Sequence, residues 1–166
     1  MGATEAALED VYRHRHQAFA KALASVTGSA DLADEVVQES FARALAARSG
    51  YRGDGPLEAW VWRIAIRTAL EFRRRRSELG ADEQLDPLLP EPERDPELTA
   101  AIRRLPPRRR LVVLLRYVAD LSYADIARIC GIREGTVAAT LAQAREGLAE
   151  DLGYSRTTRL STGGAK

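Results

Sequence analysis

Apolar side chains return at helical spacing along most of the chain. A period of three to four residues marks segments 4–25, 31–47 and 57–76, and a strongly apolar stretch follows at 111–118. Asp31 stands where the second segment needs an N-cap. The candidate core positions of the first two segments are Leu8, Val11, Tyr12, Phe19, Leu23, Leu32, Val36, Phe41, Ala44 and Leu45. The pattern predicts an all-α protein.

Segment 121–148 has the pattern of two short helices joined by a tight turn. Ser122 is placed to cap the first helix, and Gly131 follows where a helix end favours a residue with positive φ. The second helix is expected to begin near Gly135-Thr136. Its apolar face has spacings of four, three and four residues and consists of Val137, Leu141, Ala144 and Leu148. Such an arrangement is typical of a DNA-binding helix-turn-helix, and an ordinary αα-hairpin has the same pattern.

Segment 57–76 combines aromatic and basic side chains. Helical geometry rotates Trp60 and Trp62 about 200° apart, so one can lie in the core while the other approaches the surface. Four consecutive arginines, Arg73 to Arg76, end the segment. They suit a helix C-terminus, where the dipole favours cations. They suit phosphate contact equally well, and arginines beside aromatic rings are typical of single-stranded nucleic-acid binding.

Composition divides the chain into two small helical domains. Residues 77–97 contain four prolines and eight acidic side chains against one arginine, which predicts an acidic, flexible linker. The predicted units are a first domain at 4–76, this linker, a second domain at 98–152 and a disordered tail at 153–166. The net charge is +2 over residues 1–76, −7 over the linker and +6 over residues 98–166. Two basic segments on either side of an acidic linker favour an interpretation as two DNA-facing domains. The same distribution of charge also fits a linker that is acidic only because it is exposed to solvent.

The sequence offers no chemistry of an enzyme. His14 and His16 point to different helix faces, without partners for a metal site, and we find no nucleophile–base pair or phosphate-binding loop. We therefore expect no enzymatic activity, no metal and no cofactor. A single cysteine, Cys130, permits no intramolecular disulfide, and neither a hydrophobic signal segment nor a membrane-spanning run is present. These features predict a cytoplasmic protein without membrane insertion.

Three motifs resemble the extracytoplasmic-function (ECF) sigma factors of bacteria. The run LPPRRR…LLRY…LSYADIA…GI..GTV…L..AR..L is similar to their region 4, which binds the −35 promoter element. The segment DLADEVVQESF, at 31–41, resembles region 2.2, which docks on the clamp helices of RNA polymerase. The segment YRGDGPLEAWVWRIAIRTALEFRRRR, at 51–76, resembles regions 2.3 and 2.4, which melt and read the −10 element.

The resemblance implies two binding surfaces in the first domain. For polymerase binding it implies Asp34, Glu35, Val37, Gln38 and Glu39, although such a charged helix face is ordinarily just solvated. For the −10 element it implies Trp60, Trp62, Arg63, Arg67, Glu71, Arg73, Arg74 and Arg75. Arg67 replaces the usual Asn, and Glu71 replaces the usual Asp. Because that Asn contributes to base recognition in the family, an altered or weak −10 preference is expected.

The second domain departs from the family in its recognition helix. Recognition helices of the family usually have the sequence GTVKSRLxRAR, and residues 135–145 of this chain have GTVAATLAQAR instead. Positions that usually carry a cation are therefore lost. Besides the cluster Arg108–Arg110, the residues implied for −35 contact are Arg133, Thr136, Ala138, Ala139, Thr140, Gln143 and Arg145. Fewer cations mean fewer phosphate contacts and weaker DNA affinity. Either a weaker readout that favours A·T pairs remains, or this surface no longer reads DNA.

The sequence thus supports two functions. The first is an ECF-type sigma factor that directs core RNA polymerase to promoters. Its partners would be the clamp helices of the largest polymerase subunit, the flap of the second subunit, promoter DNA and an anti-sigma factor. The alternative is a sigma-like decoy or adaptor, which binds polymerase or an anti-sigma factor with weak or no −35 reading. The depleted recognition helix is the support for that alternative.

Overall fold

The computed structural model describes residues 2–79 and 95–154, and over these ranges the fold is all-helical, as the sequence predicts. A short 3-10 helix spans Arg48–Gly50. The α-helices are α1 (Glu5–Thr27), α2 (Ala30–Ala46), α3 (Leu57–Glu78), α4 (Pro96–Arg104), α5 (Pro107–Tyr117), α6 (Tyr123–Cys130) and α7 (Glu134–Asp151). Most of the predicted linker (77–97) and of the predicted tail (153–166) lies outside the described residues.

Helices α1 and α2 form a tight hairpin around one glycine. Gly28 ends α1 in the left-handed conformation, with φ 76° and ψ 10°, and its N–H donates to the carbonyl of Ala24 over 2.8 Å. The hydroxyl of Ser29 then caps α2 by accepting from the N–H of Leu32 at 3.3 Å. The prediction that Asp31 is the cap is wrong. Asp31 lies in the first turn of α2, where its charge faces the positive helix end.

Stacked aromatic rings hold α1, α2 and α3 together. The Trp62 and Phe19 rings are fully buried and stack with 3.8 Å between centroids and 10° between planes. Phe41 meets Phe19 edge to face at 5.2 Å. The predicted core is only partly right, because Phe41 is half-buried while Leu45 and Tyr12 keep 37% and 40% of their surface exposed. The three helices form the N-terminal bundle.

Helices α4 to α7 form a C-terminal bundle that contains the predicted helix-turn-helix. The hydroxyl of Ser122 accepts from the N–H of Asp125 at 3.1 Å, and Gly131 ends α6 with φ 65°. The chain then folds back onto α6, and the N–H of Ile132 donates to the carbonyl of Ala127 at 3.0 Å. The apolar face of α7 packs inward as predicted: Val137, Leu141 and Ala144 are buried and Leu148 is partly buried.

The two bundles pack against each other through α1 with α5 and through α3 with α6, and hydrogen bonds accompany this packing. Arg15 of α1 donates through Nη2 to the carbonyl of Ala119, just beyond α5, at 2.6 Å. Arg128 of α6 reaches the carbonyl of Asp54 at 3.5 Å. A Cβ on Gly55 would stand 3.2 Å from the Arg128 guanidinium, so the bare glycine backbone permits this close approach. Helix α6 therefore lies beside the loop that precedes α3.

Candidate nucleic-acid and protein interfaces

The outer face of α2 carries the acidic surface expected for polymerase binding. Asp34, Glu35 and Gln38 are exposed, and the Glu39 side chain keeps 43% of its surface accessible. Val37, which the resemblance places in the same set, is only 4% exposed, so that assignment is wrong. Since α2 packs against both α1 and α3, the neighbouring positions 36 and 37 are both covered. The remaining face is polar and acidic rather than apolar.

The two tryptophans of α3 separate into a core residue and a surface residue. Trp60 is half-buried and lies 5.6 Å from the Tyr51 ring, whose hydroxyl donates to the carbonyl of Gly55 at 2.5 Å. Trp62 has no exposed surface, and its indole N–H donates to Glu58 at 3.3 Å. The assignment of Trp62 to DNA contact is therefore wrong, because a base cannot reach a ring enclosed by the bundle. Trp60 is the tryptophan available to a ligand.

Trp60 borders a cavity whose polar lining comes from α2 and α3. The cavity measures 530 Å³, and its lining includes Arg63, Arg67, Thr68 and Glu71 together with Arg43 of α2. The carboxylate of Glu71 accepts from Nη1 of Arg43 at 2.7 Å. This hydrogen bond, reinforced by the charges of Arg43, Arg75 and Arg67, lowers the pKa of Glu71 below its ordinary value. The cavity thus offers an aromatic ring, several cations and one fixed acceptor.

The arginine cluster at the end of α3 is largely open to solvent. Arg73, Arg74 and Arg75 are exposed, while Arg76 is half-buried. Arg74 has an acidic neighbour in Glu78, with 3.7 Å between Nε and the carboxylate. The cluster also lies where the helix dipole favours positive charge. Three predicted phosphate-binding side chains are therefore accessible at one end of the helix that carries Trp60.

Most residues predicted for −35 contact lie on the solvent side of α7. Thr136, Ala138, Ala139 and Gln143 are exposed, as is Arg133, which immediately precedes the helix. Thr140 is half-buried and its hydroxyl donates to the carbonyl of Thr136 at 2.7 Å. Between positions 136 and 143 the accessible face of this helix is therefore made of small and neutral side chains and one amide, while charged Glu134, Arg145 and Glu146 are exposed on either side of it.

Two polar side chains of α7 are already engaged within the C-terminal bundle. Arg145 donates to the Tyr117 hydroxyl at 2.9 Å and to the Tyr123 hydroxyl at 3.4 Å, and the first of these bonds raises its pKa. The amide oxygen of Gln143 accepts from Nη2 of Arg109 at 3.0 Å. Arg145 is thereby held against α5 and α6, and Arg109 brings a cation beside the neutral face of α7.

One arginine of the predicted basic cluster has a different role. Arg110 is 4% exposed, and its Nη2 donates to the carbonyls of Arg103 and Leu105 at 2.5 and 2.9 Å. It joins the end of α4 to the start of α5 and is not available for phosphate contact. Arg108 is exposed and Arg109 is half-buried. The accessible part of the cluster therefore consists of two arginines.

Sequence reasoning missed several residues that shape these surfaces. Arg43, Tyr51, Tyr117 and Tyr123 had no predicted role, although Tyr117 and Tyr123 stand within the motifs that carry the resemblance. The pairing of Arg43 with Glu71 joins positions 28 residues apart on different helices, so no local spacing could show it. The spacing of Arg43 and Glu39, four residues on one helix, was a visible signal for an ion pair.

The fold and these surfaces define a class of proteins. In this class a three-helix bundle, with an acidic face and an aromatic cavity, precedes a bundle that contains a helix-turn-helix. The family model for Sigma-70 region 2 matches residues 11–78, and that for Sigma-70, region 4, matches residues 96–148. The ECF RNA polymerase sigma factor EcfG of Rhodopseudomonas palustris is 33% identical over 156 residues, covering 84% of this chain and 86% of EcfG. The chain belongs to the ECF sigma factors of the sigma-70 family, which are transcription initiation factors.

One further relative and one solved structure are also similar to this chain. The ECF RNA polymerase sigma factor SigM of Mycobacterium tuberculosis is 29% identical over 157 residues, covering 91% of this chain and 80% of SigM. A solved structure of the sigma factor RpoE in complex with the anti-sigma factor NepR, from Bartonella quintana, has a TM-score of 0.69 at 23% identity. The match covers 87% of this chain and 98% of that one and concerns the fold. No helix in the described part of the chain combines the length and apolarity needed to cross a membrane.

Proposed function

We propose that this sigma factor docks on core RNA polymerase through the acidic face of α2 and reads the −10 element with α3. The observation that supports this proposal is that an acidic face and an aromatic, basic cavity lie on the same three-helix bundle. Asp34, Glu35 and Gln38 lie on its outer face, while Trp60, Arg63 and Arg67 line a cavity. A bundle held by the Trp62–Phe19 stack can fix the position of DNA relative to polymerase.

Docking through α2 would depend on charge more than on apolar area. With Val37 buried, the exposed face offers carboxylates and an amide, which suit a basic partner surface such as the clamp helices of the largest subunit. Charge complementarity of this kind raises association rates and selects orientation. We assign the contact to Asp34, Glu35, Gln38 and Glu39.

The −10 surface would bind unpaired DNA through stacking and phosphate contact. Trp60 offers a ring face, Arg63 and Arg67 follow along α3, and Arg73 to Arg75 extend the positive charge. Stacking on an aromatic ring contributes about 1–3 kcal/mol per base. The carboxylate of Glu71 can accept a hydrogen bond from the amino group of adenine or cytosine.

The C-terminal bundle is assigned to the −35 element and the polymerase flap. Its DNA-facing residues would be Thr136, Ala138, Ala139 and Gln143, with Arg133 and Arg109 beside them. The scarcity of cations favours weak binding, in which the −10 contacts and polymerase supply most of the affinity. The decoy alternative gains its support from the same neutral face.

We further propose a regulatory partner and a place of action. A similar solved structure, RpoE of Bartonella quintana, is a sigma factor in complex with the anti-sigma factor NepR, which favours an anti-sigma factor for this chain too. Since core polymerase works in the cytoplasm, the protein would act there. It would contribute recognition and no enzymatic step of its own.

In vitro transcription tests the proposal. The purified chain is combined with core RNA polymerase on fragments of the organism's genome, and transcripts are mapped at their 5′ ends. The proposal expects start sites that appear only with the chain and share sequence upstream. Random starts, or none, would contradict the promoter-reading function. Binding to core polymerase without such starts would favour the decoy.

A further inference from the structure

We propose that Arg43 is a positioning residue that couples the polymerase-docking face to the −10 cavity. The inference rests on the function proposed above, because it links the two surfaces assigned there. Arg43 lies between them on α2 and contacts both. Through this one side chain, engagement of polymerase would change how firmly the cavity holds its acceptor, Glu71.

The contacts of Arg43 divide between two carboxylates. Its Nε donates to Glu39 at 2.7 Å, and its Nη1 donates to Glu71 at 2.7 Å and reaches the Thr68 hydroxyl at 3.4 Å. Glu39 belongs to the acidic face of α2, and Glu71 lines the cavity beside Trp60. One guanidinium therefore bridges a docking residue and a DNA-facing residue.

The chemistry of arginine suits this bridge. The guanidinium is a flat fork with donors along several edges, so it can bind two carboxylates in fixed directions at once. The side chains of Arg43, Glu39 and Glu71 keep 32%, 43% and 34% of their surface accessible, so an approaching partner can reach the Glu39 end. A lysine at the same place would be a point charge that cannot hold both directions.

Competition between the two carboxylates gives the coupling its direction. In the free protein Glu39 and Glu71 share the positive charge of Arg43. When a basic group of polymerase pairs with Glu39, the hold of Glu39 on Arg43 weakens, and Arg43 pairs more completely with Glu71. The carboxylate of Glu71 is then better neutralised and more firmly placed, so the cavity repels DNA phosphates less. Polymerase docking would thus favour −10 binding.

Glu39→Gln imitates the docked state, because it removes the competing charge while keeping the side-chain length. The probe is a labelled single-stranded 12-mer that the wild-type holoenzyme enriches from a random pool. Its dissociation constant is measured for the full-length free chain and for the holoenzyme. Asp31→Asn is the matched control, since it removes one negative charge near the other end of α2, twelve residues from Arg43.

We expect Glu39→Gln to tighten binding of the 12-mer to the free chain at least threefold and Asp31→Asn to leave it nearly unchanged. In the holoenzyme the Glu39→Gln effect on DNA binding should shrink, because polymerase already occupies Glu39. The decisive comparison repeats Glu39→Gln in two backgrounds, Arg43→Gln and Arg43→Lys. With Arg43→Gln the tightening should disappear, because no cation is left for the two carboxylates to share. With Arg43→Lys it should persist in part, because the lysine charge can still pass from Glu39 to Glu71, and this variant guards against loss of the fold.

Two results would overturn the coupling. One is equal tightening with and without Arg43, which would mean that Glu39 acts through space. The other is no tightening by Glu39→Gln in the wild-type background. If the wild-type holoenzyme enriches no sequence at all, the proposed −10 function fails first and the coupling falls with it. Circular dichroism of each variant shows whether the bundle remains folded.

Discussion

Replacing Trp62 with alanine is expected to destabilise the N-terminal bundle severely. The indole is fully buried and lies 3.8 Å from the Phe19 ring in a nearly parallel stack. Truncation of a buried tryptophan to alanine costs about 3–5 kcal/mol. We expect the upper part of that range because the stack with Phe19 and the hydrogen bond to Glu58 are lost together. Native domains are stable by only about 5–15 kcal/mol, so the variant keeps little margin.

Denaturant unfolding of the full chain, followed by circular dichroism at 222 nm, measures this loss. Trp62→Phe is the matched variant, since it keeps an aromatic ring against Phe19, and its loss should be smaller. Trp60→Ala is the half-buried comparison: it should lower the unfolding midpoint less than Trp62→Ala does, but it should weaken binding of single-stranded DNA. The reasoning would be refuted if Trp62→Ala unfolded at the wild-type midpoint while losing DNA affinity, because the indole would then act at the surface.

Three other perturbations test the remaining surfaces. Glu35→Lys should weaken binding to core polymerase without changing the unfolding midpoint, and an unchanged affinity in a fluorescence titration would contradict the docking face. The double variant Ala138→Lys, Thr140→Arg should tighten binding of duplex DNA. It should also steepen the slope of log K against log salt by about one unit per added phosphate contact. An unchanged slope would mean that this face of α7 does not contact DNA. Because the pKa of Glu71 is lowered by Arg43, their pairing stabilises the fold at neutral pH and is lost as the pH falls through that lowered value. The stability deficit of Arg43→Gln should therefore shrink on acidification. A deficit that stays the same down to the pH at which the wild-type chain unfolds would contradict the pairing.

Local sequence signals predicted the helices and the turn well. Ser122 and Gly131 mark the ends of α6 because capping depends on residues within one turn. The one misplaced cap has the same origin. Ser29 and Asp31 can both cap a helix, and the sequence alone did not show that Gly28 ends α1 early enough for Ser29 to take that place.

The side chains that face partners were harder to predict. Helical rotation separated Trp60 from Trp62, but only the packing of α1 against α3 decided which one is buried. Val37 is buried because α2 is covered from two sides, which a pattern along one helix cannot reveal. Arg110 looked like its neighbours in a basic run, and its burial depends on the bend between α4 and α5.

The ends of two helices set how far apart the two bundles can move. Helix α3 ends at Glu78 and α4 begins at Pro96, so 17 residues, 79 to 95, join them. A fully extended chain spans at most about 3.3–3.6 Å per residue, which gives an upper limit of roughly 60 Å for this connection. With about 3.4 Å of DNA axis per base pair, that limit corresponds to roughly 18 base pairs. The covalent length of the connection thus limits how far the end of α3 can lie from the start of α4, and the reach of one molecule along DNA is this length together with the dimensions of the two bundles.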